Sequence, residues 1–86
     1  MFWGYKILRD NIKKIPDIRM LNELIDSSTL APVEKKLLKM KYVEHKDLKE
    51  CARKLGYSQQ HIYKIHKKAL NKIKIPLNKL IAELEE

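Results

Sequence analysis

The chain has few of the residue types on which several classes of protein depend. Its 86 residues include one cysteine, two glycines and three prolines. Cys51 cannot form an internal disulfide, and the N-terminus lacks a secretory pattern, so a reducing intracellular setting is expected. No apolar run approaches the ~20 residues that cross a bilayer. Because turn residues are scarce and the length leaves no room for two cores, we predict one soluble all-α domain.

Residues suited to catalysis or metal binding are also scarce. Gly4 and Gly56 are too few for a glycine-rich phosphate loop. His61 and His66 are five residues apart, which points them to different sides of a helix, and no cysteine or carboxylate stands at zinc-ligand spacing. Cys51 falls on a predicted inward stripe, where a small core residue is a better interpretation than a nucleophile. We predict no enzyme activity, no cofactor and no metal.

Positive charge is what the chain has in excess. The net charge is +8 at pH 7, which indicates an anionic partner such as nucleic acid or an acidic membrane surface. Residues 29–73 carry twelve Lys or Arg against four acids, whereas residues 1–28 and 74–86 are close to balanced. The cationic partner-binding part is therefore expected in the middle of the chain.

Apolar residues recur at spacings of three and four along most of the chain, which predicts a compact domain of five or six helices. Residues 1–28 should form N-terminal helices that pack on the core, with a docking surface for a partner as the alternative. Residues 29–73 should form a helix-turn-helix, and residues 74–86 an amphipathic helix. That last helix should close the core, with a two-fold interface as the alternative. The predicted inward residues are Tyr5, Leu8, Ile12 and Ile15; Ile18, Leu21, Leu24 and Ile25; Val33, Leu37, Leu38, Met40 and Val43; Leu48, Cys51, Ala52 and Leu55; Ile62, Ile65, Ala69, Leu70 and Ile73; and Leu77, Leu80, Ile81 and Leu84.

Local signals divide the middle segment into two helices. Asp47 can cap the first of them, with Glu50 reaching back to complete a capping box. Gly56 can end that helix because glycine accepts a positive φ, and the Ser58 hydroxyl can cap the next one. A helix, a three-residue turn and a second helix are therefore predicted between residues 48 and 73.

The second of these helices should expose a polar face without acidic residues. Residues 59–73 contain four Lys, three His or Tyr and no carboxylate, whereas an ordinary solvated helix usually mixes both signs. A helix of about 15 residues is ~22 Å long and fits the major groove of B-DNA. The amides of Gln59 and Gln60 match adenine N6 and N7, and Tyr63 could reach a thymine methyl or a phosphate. A merely soluble helix face is the alternative.

The segment from Leu30 to Ile73 resembles region 4 of bacterial sigma factors of the sigma-70 class. The matching elements are Leu30-x-Pro32, Leu37-Leu38, Leu48-x-Glu50-Cys51-Ala52-x-x-Leu55-Gly56-x-Ser58, Ile62, Ile65 and Ala69-Leu70-x-x-Ile73. The resemblance implies that the second helix of the motif binds promoter DNA and that the domain touches the flap of the RNA polymerase β subunit. Region 2, which melts promoters, is not part of these 86 residues, so the expected role is a regulator rather than a stand-alone sigma factor.

Site residues and partners follow from this resemblance by position. The residues expected at base edges are Gln59, Gln60 and Tyr63. Those expected near phosphates are Arg53, Ser58, Lys64, Lys67 and Lys68. The partners are then double-stranded DNA, with RNA polymerase as a second one, in the cytoplasm of a bacterial or phage-infected cell. A homodimer through the C-terminal or N-terminal helices would lengthen the short site that one helix contacts.

Two further hypotheses stay open at this point. The same motif could bind RNA polymerase or another protein without reading DNA. A basic helix could also bind RNA, because positive charge alone does not distinguish the two nucleic acids.

Overall fold

A computed structural model describes residues 9–10 and 12–84, and this part of the chain is all-α. Its α-helices are α1 (Ile18–Ser27), α2 (Pro32–Leu38), α3 (Leu48–Leu55), α4 (Gln59–Lys72) and α5 (Lys74–Leu84). Residues 9, 10 and 12 are helical as well. The predicted all-helical class is confirmed, while Tyr5 and Leu8 lie outside the described residues.

The helices bury their apolar faces in two clusters. The larger cluster joins α1, α4 and α5 with Ile12, the end of α2 and Tyr42, and the smaller one lies where α2, α3 and α4 meet. Helix α5 contributes Leu77 and Ile81 to the larger cluster, so this face of the C-terminal helix is used inside the fold. The members of the larger cluster are Ile12, Leu21, Leu24, Ile25, Leu38, Tyr42, Ala69, Leu70, Ile73, Leu77 and Ile81. Those of the smaller cluster are Leu37, Met40, Cys51, Ala52 and Ile62.

Some predicted inward residues lie at helix ends and are not buried. Ile18 is 53% exposed, because it is the first residue of α1, directly after the capping residue Asp17. Leu84 is 42% exposed at the last position of α5. Ile15 is half-buried and lies beyond the N-terminal helical residues, since the following Pro16 disfavours helical backbone at the residue before it. The prediction of inward positions was wrong for Ile18 and Leu84.

Helix α2 continues into one turn of π-helix, Lys39–Val43. The Glu44 N–H donates to the Lys39 carbonyl at 3.0 Å, a five-residue spacing that is wider than the α-helical one. The side chain of Tyr42 is buried by this turn, whereas Val43 is only half-buried. The simple three-and-four periodicity predicted here therefore misses Tyr42 as a core residue.

The predicted helix-turn-helix is confirmed, together with the caps at Asp47 and Ser58 and the turn at Gly56. Among the described residues, the predicted return contact from the Glu50 side chain is not formed. The Asp47 carboxylate accepts a hydrogen bond from the Glu50 N–H at 2.8 Å, and the Ser58 hydroxyl accepts one from the His61 N–H at 3.1 Å. Gly56 has φ +79°, the left-handed conformation that ends many helices. Three residues, 56–58, thus separate α3 from α4.

We expect Gly56→Ala to lower the free energy of unfolding by about 1 kcal/mol, because an L-residue is strained at this positive φ. A Cβ atom at Gly56 would meet no other atom within 4 Å, so the cost comes from the backbone alone. Urea unfolding measures the loss. Gly56→Asn serves as the matched control and should lose less, since asparagine tolerates this conformation. Equal losses for both variants would contradict the explanation.

Candidate nucleic-acid interface

Helix α4 has a buried side that anchors it and an exposed side that faces solvent. The buried side chains are Ile62, His66, Ala69 and Leu70, and Ile73 follows directly after the helix. Gln59 and Gln60 are exposed, and Tyr63 is 49% exposed. All the residues that the sequence predicted at base edges therefore lie on the surface of this helix.

The cationic candidates are distributed over α3 and α4. Lys64 and Lys68 are exposed on α4, and Lys67 is half-buried. Arg53 is exposed in the last turn of α3.

Helix α4 and its capping residue line two shallow concavities that share Gln60 and Lys64. One is lined by Gln59, Gln60, Tyr63 and Lys64. The other is lined by Ser58, Gln60, His61, Lys64, Ile65 and Lys68.

The first turn of α4 combines a capping serine with hydrogen-bond donors. Ser58 Oγ accepts the His61 N–H, so the hydroxyl proton of Ser58 can still be donated to another acceptor. The N–H groups of Gln59 and Gln60 precede the first intrahelical hydrogen bond of α4, which the Ile62 N–H donates to the Ser58 carbonyl. With the positive end of the helix dipole, this turn suits a phosphate oxygen.

At the C-terminal end of α4, the positive charge of Lys72 is compensated by a carboxylate of the same protein. Lys72 Nζ lies 2.8 Å from Glu34 Oε1, an atom that also accepts the Ala31 N–H at 2.8 Å. Burial raises the pKa of the Glu34 carboxyl, but the hydrogen bonds from Lys72 and Ala31, with the charges of Lys72 and Lys68, bring it below its ordinary value. Glu34 is therefore ionised at neutral pH and ties α2 to the end of α4.

His66 is a buried residue that the sequence interpretation had counted among the polar side chains of this segment. Its Nε2 atom lies 2.7 Å from the Tyr42 hydroxyl, and the two rings are stacked with centroids 5.6 Å apart. Burial, with the charges of Lys41 and Arg9, lowers the pKa of His66 to about 4. His66 is therefore neutral at pH 7 and adds no charge to the interface.

His61 is a surface residue of the interface that the sequence interpretation did not select. It lines the second concavity, and its ring lies 4.9 Å from that of Tyr57, centroid to centroid. The signal that could have identified it is its place three residues after the capping Ser58, in the first turn of α4. The start of α4 thus carries an aromatic pair beside the glutamine side chains.

A reactive thiol, a metal-binding group or a membrane-spanning helix would each indicate another function, and the cysteine of the described residues is a core residue. Burial raises the pKa of the Cys51 thiol, which is fully buried. Among residues 9–10 and 12–84, no three His, Cys, Asp or Glu side chains are grouped so that they could hold a metal ion. None of the helices in this described part combines the length and apolar content that crossing a membrane requires.

The comparison with protein families agrees with this geometry. The family model described as "Sigma-70, region 4" matches residues 28–74, which is more than half of the chain. The matched range contains α2, the π-helical turn, α3 and α4. The comparison with curated proteins found no match, and neither did the comparison with solved structures.

Proposed function

The chain belongs to the sigma-70 region 4 family, which makes its helix-turn-helix a DNA-binding domain, and we propose that it is a sequence-preferring transcription regulator. In this proposal α4 lies in the major groove of double-stranded DNA. The observation that carries the proposal is the exposed, acid-free side of α4, whose opposite side is anchored in the core. The family is not an enzymatic one.

Base contacts in this proposal come from the first turns of α4. Gln59, Gln60 and Tyr63 are exposed there, and the N-terminal residues of a recognition helix are those that contact base edges in helix-turn-helix complexes. A glutamine amide presents a donor and an acceptor side by side, which matches N6 and N7 of adenine. These three residues would supply the sequence preference.

Phosphate contacts would supply most of the affinity. We assign them to Arg53, Ser58, Lys64, Lys67 and Lys68. Log affinity falls with log salt concentration, and each neutralised phosphate makes this negative slope steeper by about 0.9. Binding should therefore weaken steeply as salt rises.

A single helix contacts only a few base pairs, so the regulator needs a further source of specificity. Sigma-70 region 4 domains bind DNA and also interact with RNA polymerase, so polymerase is one candidate partner. A second copy, joined through the C-terminal or N-terminal helices, is the other. The proposed place of action is the cytoplasm of a bacterial or phage-infected cell.

Selection from a random duplex library tests the proposal, with the mass of the protein in solution measured in parallel. A regulator should enrich a short consensus sequence, and a dimer should enrich an inverted repeat. The protein-interaction hypothesis instead expects binding to RNA polymerase with no enriched sequence. An RNA of equal length should compete poorly if the major groove of DNA is the target. Failure to enrich any duplex sequence would overturn the proposal.

A further inference from the structure

We propose that the first concavity on α4, lined by Gln59, Gln60, Tyr63 and Lys64, holds a thymine methyl group and thereby selects an A·T base pair. This inference rests on the proposed function, since it concerns how the same helix distinguishes bases. It chooses between the two contacts open to Tyr63, a thymine methyl or a phosphate, in favour of the methyl.

The position of the concavity fits a base contact. Its residues belong to the first turns of α4, and they form two i, i+4 pairs, Gln59 with Tyr63 and Gln60 with Lys64. The two members of such a pair are neighbours on a helix surface, about 5–6 Å apart at Cβ. The four side chains together enclose a shallow depression. The depression therefore lies on the part of the α4 surface that would face the bases in the proposed complex.

The chemistry of the concavity fits a methyl group better than an anion. Its exposed surface is mostly apolar, as expected from the Tyr63 ring and the methylene groups of the other three side chains. Tyr63 is 49% exposed and lines the concavity, so its side chain is available as an apolar wall. In the major groove, only thymine presents an apolar group, its 5-methyl.

The polar atoms around the concavity complete the match to an A·T pair. The adenine of that pair presents N7 and N6, which a glutamine amide can engage with two hydrogen bonds. Gln59 and Gln60 lie directly beside the apolar wall, so one amide can bind adenine while the methyl of the paired thymine enters the depression. A G·C pair presents neither the methyl nor the N6 donor.

Replacing thymine by uracil tests the inference, because the exchange removes only the methyl group. The selected duplex would be synthesised with one thymine at a time changed to deoxyuridine, and its Kd measured with the full-length protein. Burying one methyl is worth about 0.8 kcal/mol, so at one or two positions the Kd should rise about fourfold. In Tyr63→Ala, the thymine and uracil duplexes should bind equally.

Tyr63→Phe is the matched control, since it keeps the ring and removes the hydroxyl. If the ring contacts the methyl, this variant retains the fourfold preference for thymine. If the hydroxyl contacts a phosphate instead, Tyr63→Phe weakens binding to thymine and uracil duplexes equally. Equal binding of all thymine and uracil duplexes by the native protein would overturn the inference and leave the proposed function intact. Absence of any duplex binding would overturn both.

Discussion

Changing Lys64, Lys67 and Lys68 together to glutamate should weaken duplex binding about a thousandfold. A hydrogen bond to a charged group contributes about 1.5 kcal/mol or more, and three such phosphate contacts would be lost. The slope of log affinity against log salt is negative, and its magnitude should fall by about 3, because each lost phosphate contact removes close to one unit. Fluorescence anisotropy with the selected duplex, measured from low to physiological salt, gives both quantities.

The control for this experiment carries the same change of charge elsewhere. Lys13, Lys14 and Lys79 are exposed and lie outside α3 and α4, so their joint replacement by glutamate matches the net charge without altering the proposed DNA-contacting surface. The mass of this variant in solution must equal that of the native protein, because the N-terminal and C-terminal helices are also the proposed dimer contacts. At physiological salt the Debye length is about 8 Å, so charges farther than this from the DNA are largely screened. The control should bind within about tenfold of the native protein. If the first variant kept its DNA binding but lost binding to RNA polymerase, the regulator hypothesis would fail.

Acid should destabilise the protein through His66 by up to about 3 kcal/mol. The folded protein holds the pKa of His66 at about 4, below the ordinary value of 6.5. The unfolded chain therefore takes up the proton first, so protonation of His66 lowers the free energy of unfolding. This contribution is complete above pH 6.5 and is lost as the pH falls from 6.5 towards 4, at up to about 1.4 kcal/mol per pH unit.

Urea unfolding between pH 7 and pH 4 measures this loss, and a double variant isolates it. Tyr42→Phe with His66→Leu removes both partners of the buried hydrogen bond, so neither polar group is left unsatisfied. Carboxylates such as Glu34 titrate in both proteins and cancel in the comparison. The free energy of unfolding of the double variant should fall less between pH 6.5 and 4. Parallel pH profiles would show that His66 does not carry the effect.

The sequence was most informative where one residue determines the backbone conformation or hydrogen bonding within a few residues of itself. Asp47, Gly56 and Ser58 each act within a few residues, through a cap or a positive φ, so their roles are visible without knowledge of the fold. These three residues determine the ends of α3 and the start of α4. The helix-turn-helix was therefore predictable together with its boundaries.

Features that depend on distant contacts were not predictable in the same way. His66 is a polar residue that is nevertheless buried, and its hydrogen-bond partner Tyr42 lies 24 residues earlier in the chain. Glu34 is an acid near a helix start, and its burial depends on Lys72, 38 residues later. The π-helical turn changes the register of its own segment, and a fixed three-and-four period does not detect it.

For the candidate interface, periodicity predicted which side of α4 is exposed, but it did not predict the shape of the exposed surface. The exposure of Gln59, Gln60 and Tyr63 follows from the helical spacing of the apolar residues of α4, of which Ile62, Ala69 and Leu70 are buried. The depression between them depends on side-chain rotamers, which the sequence does not give. The contact between the rings of His61 and Tyr57 likewise became visible only in three dimensions.

The division of α4 into an anchored side and an open side has a consequence for how this protein can change over time. Stability depends on the side that holds Ile62, Ala69 and Leu70, whereas the proposed choice of operator depends on exposed side chains such as Gln59 and Gln60. Exposed positions usually alter stability by less than about 0.5 kcal/mol when substituted. New target sequences can therefore evolve, or be engineered, on an unchanged scaffold.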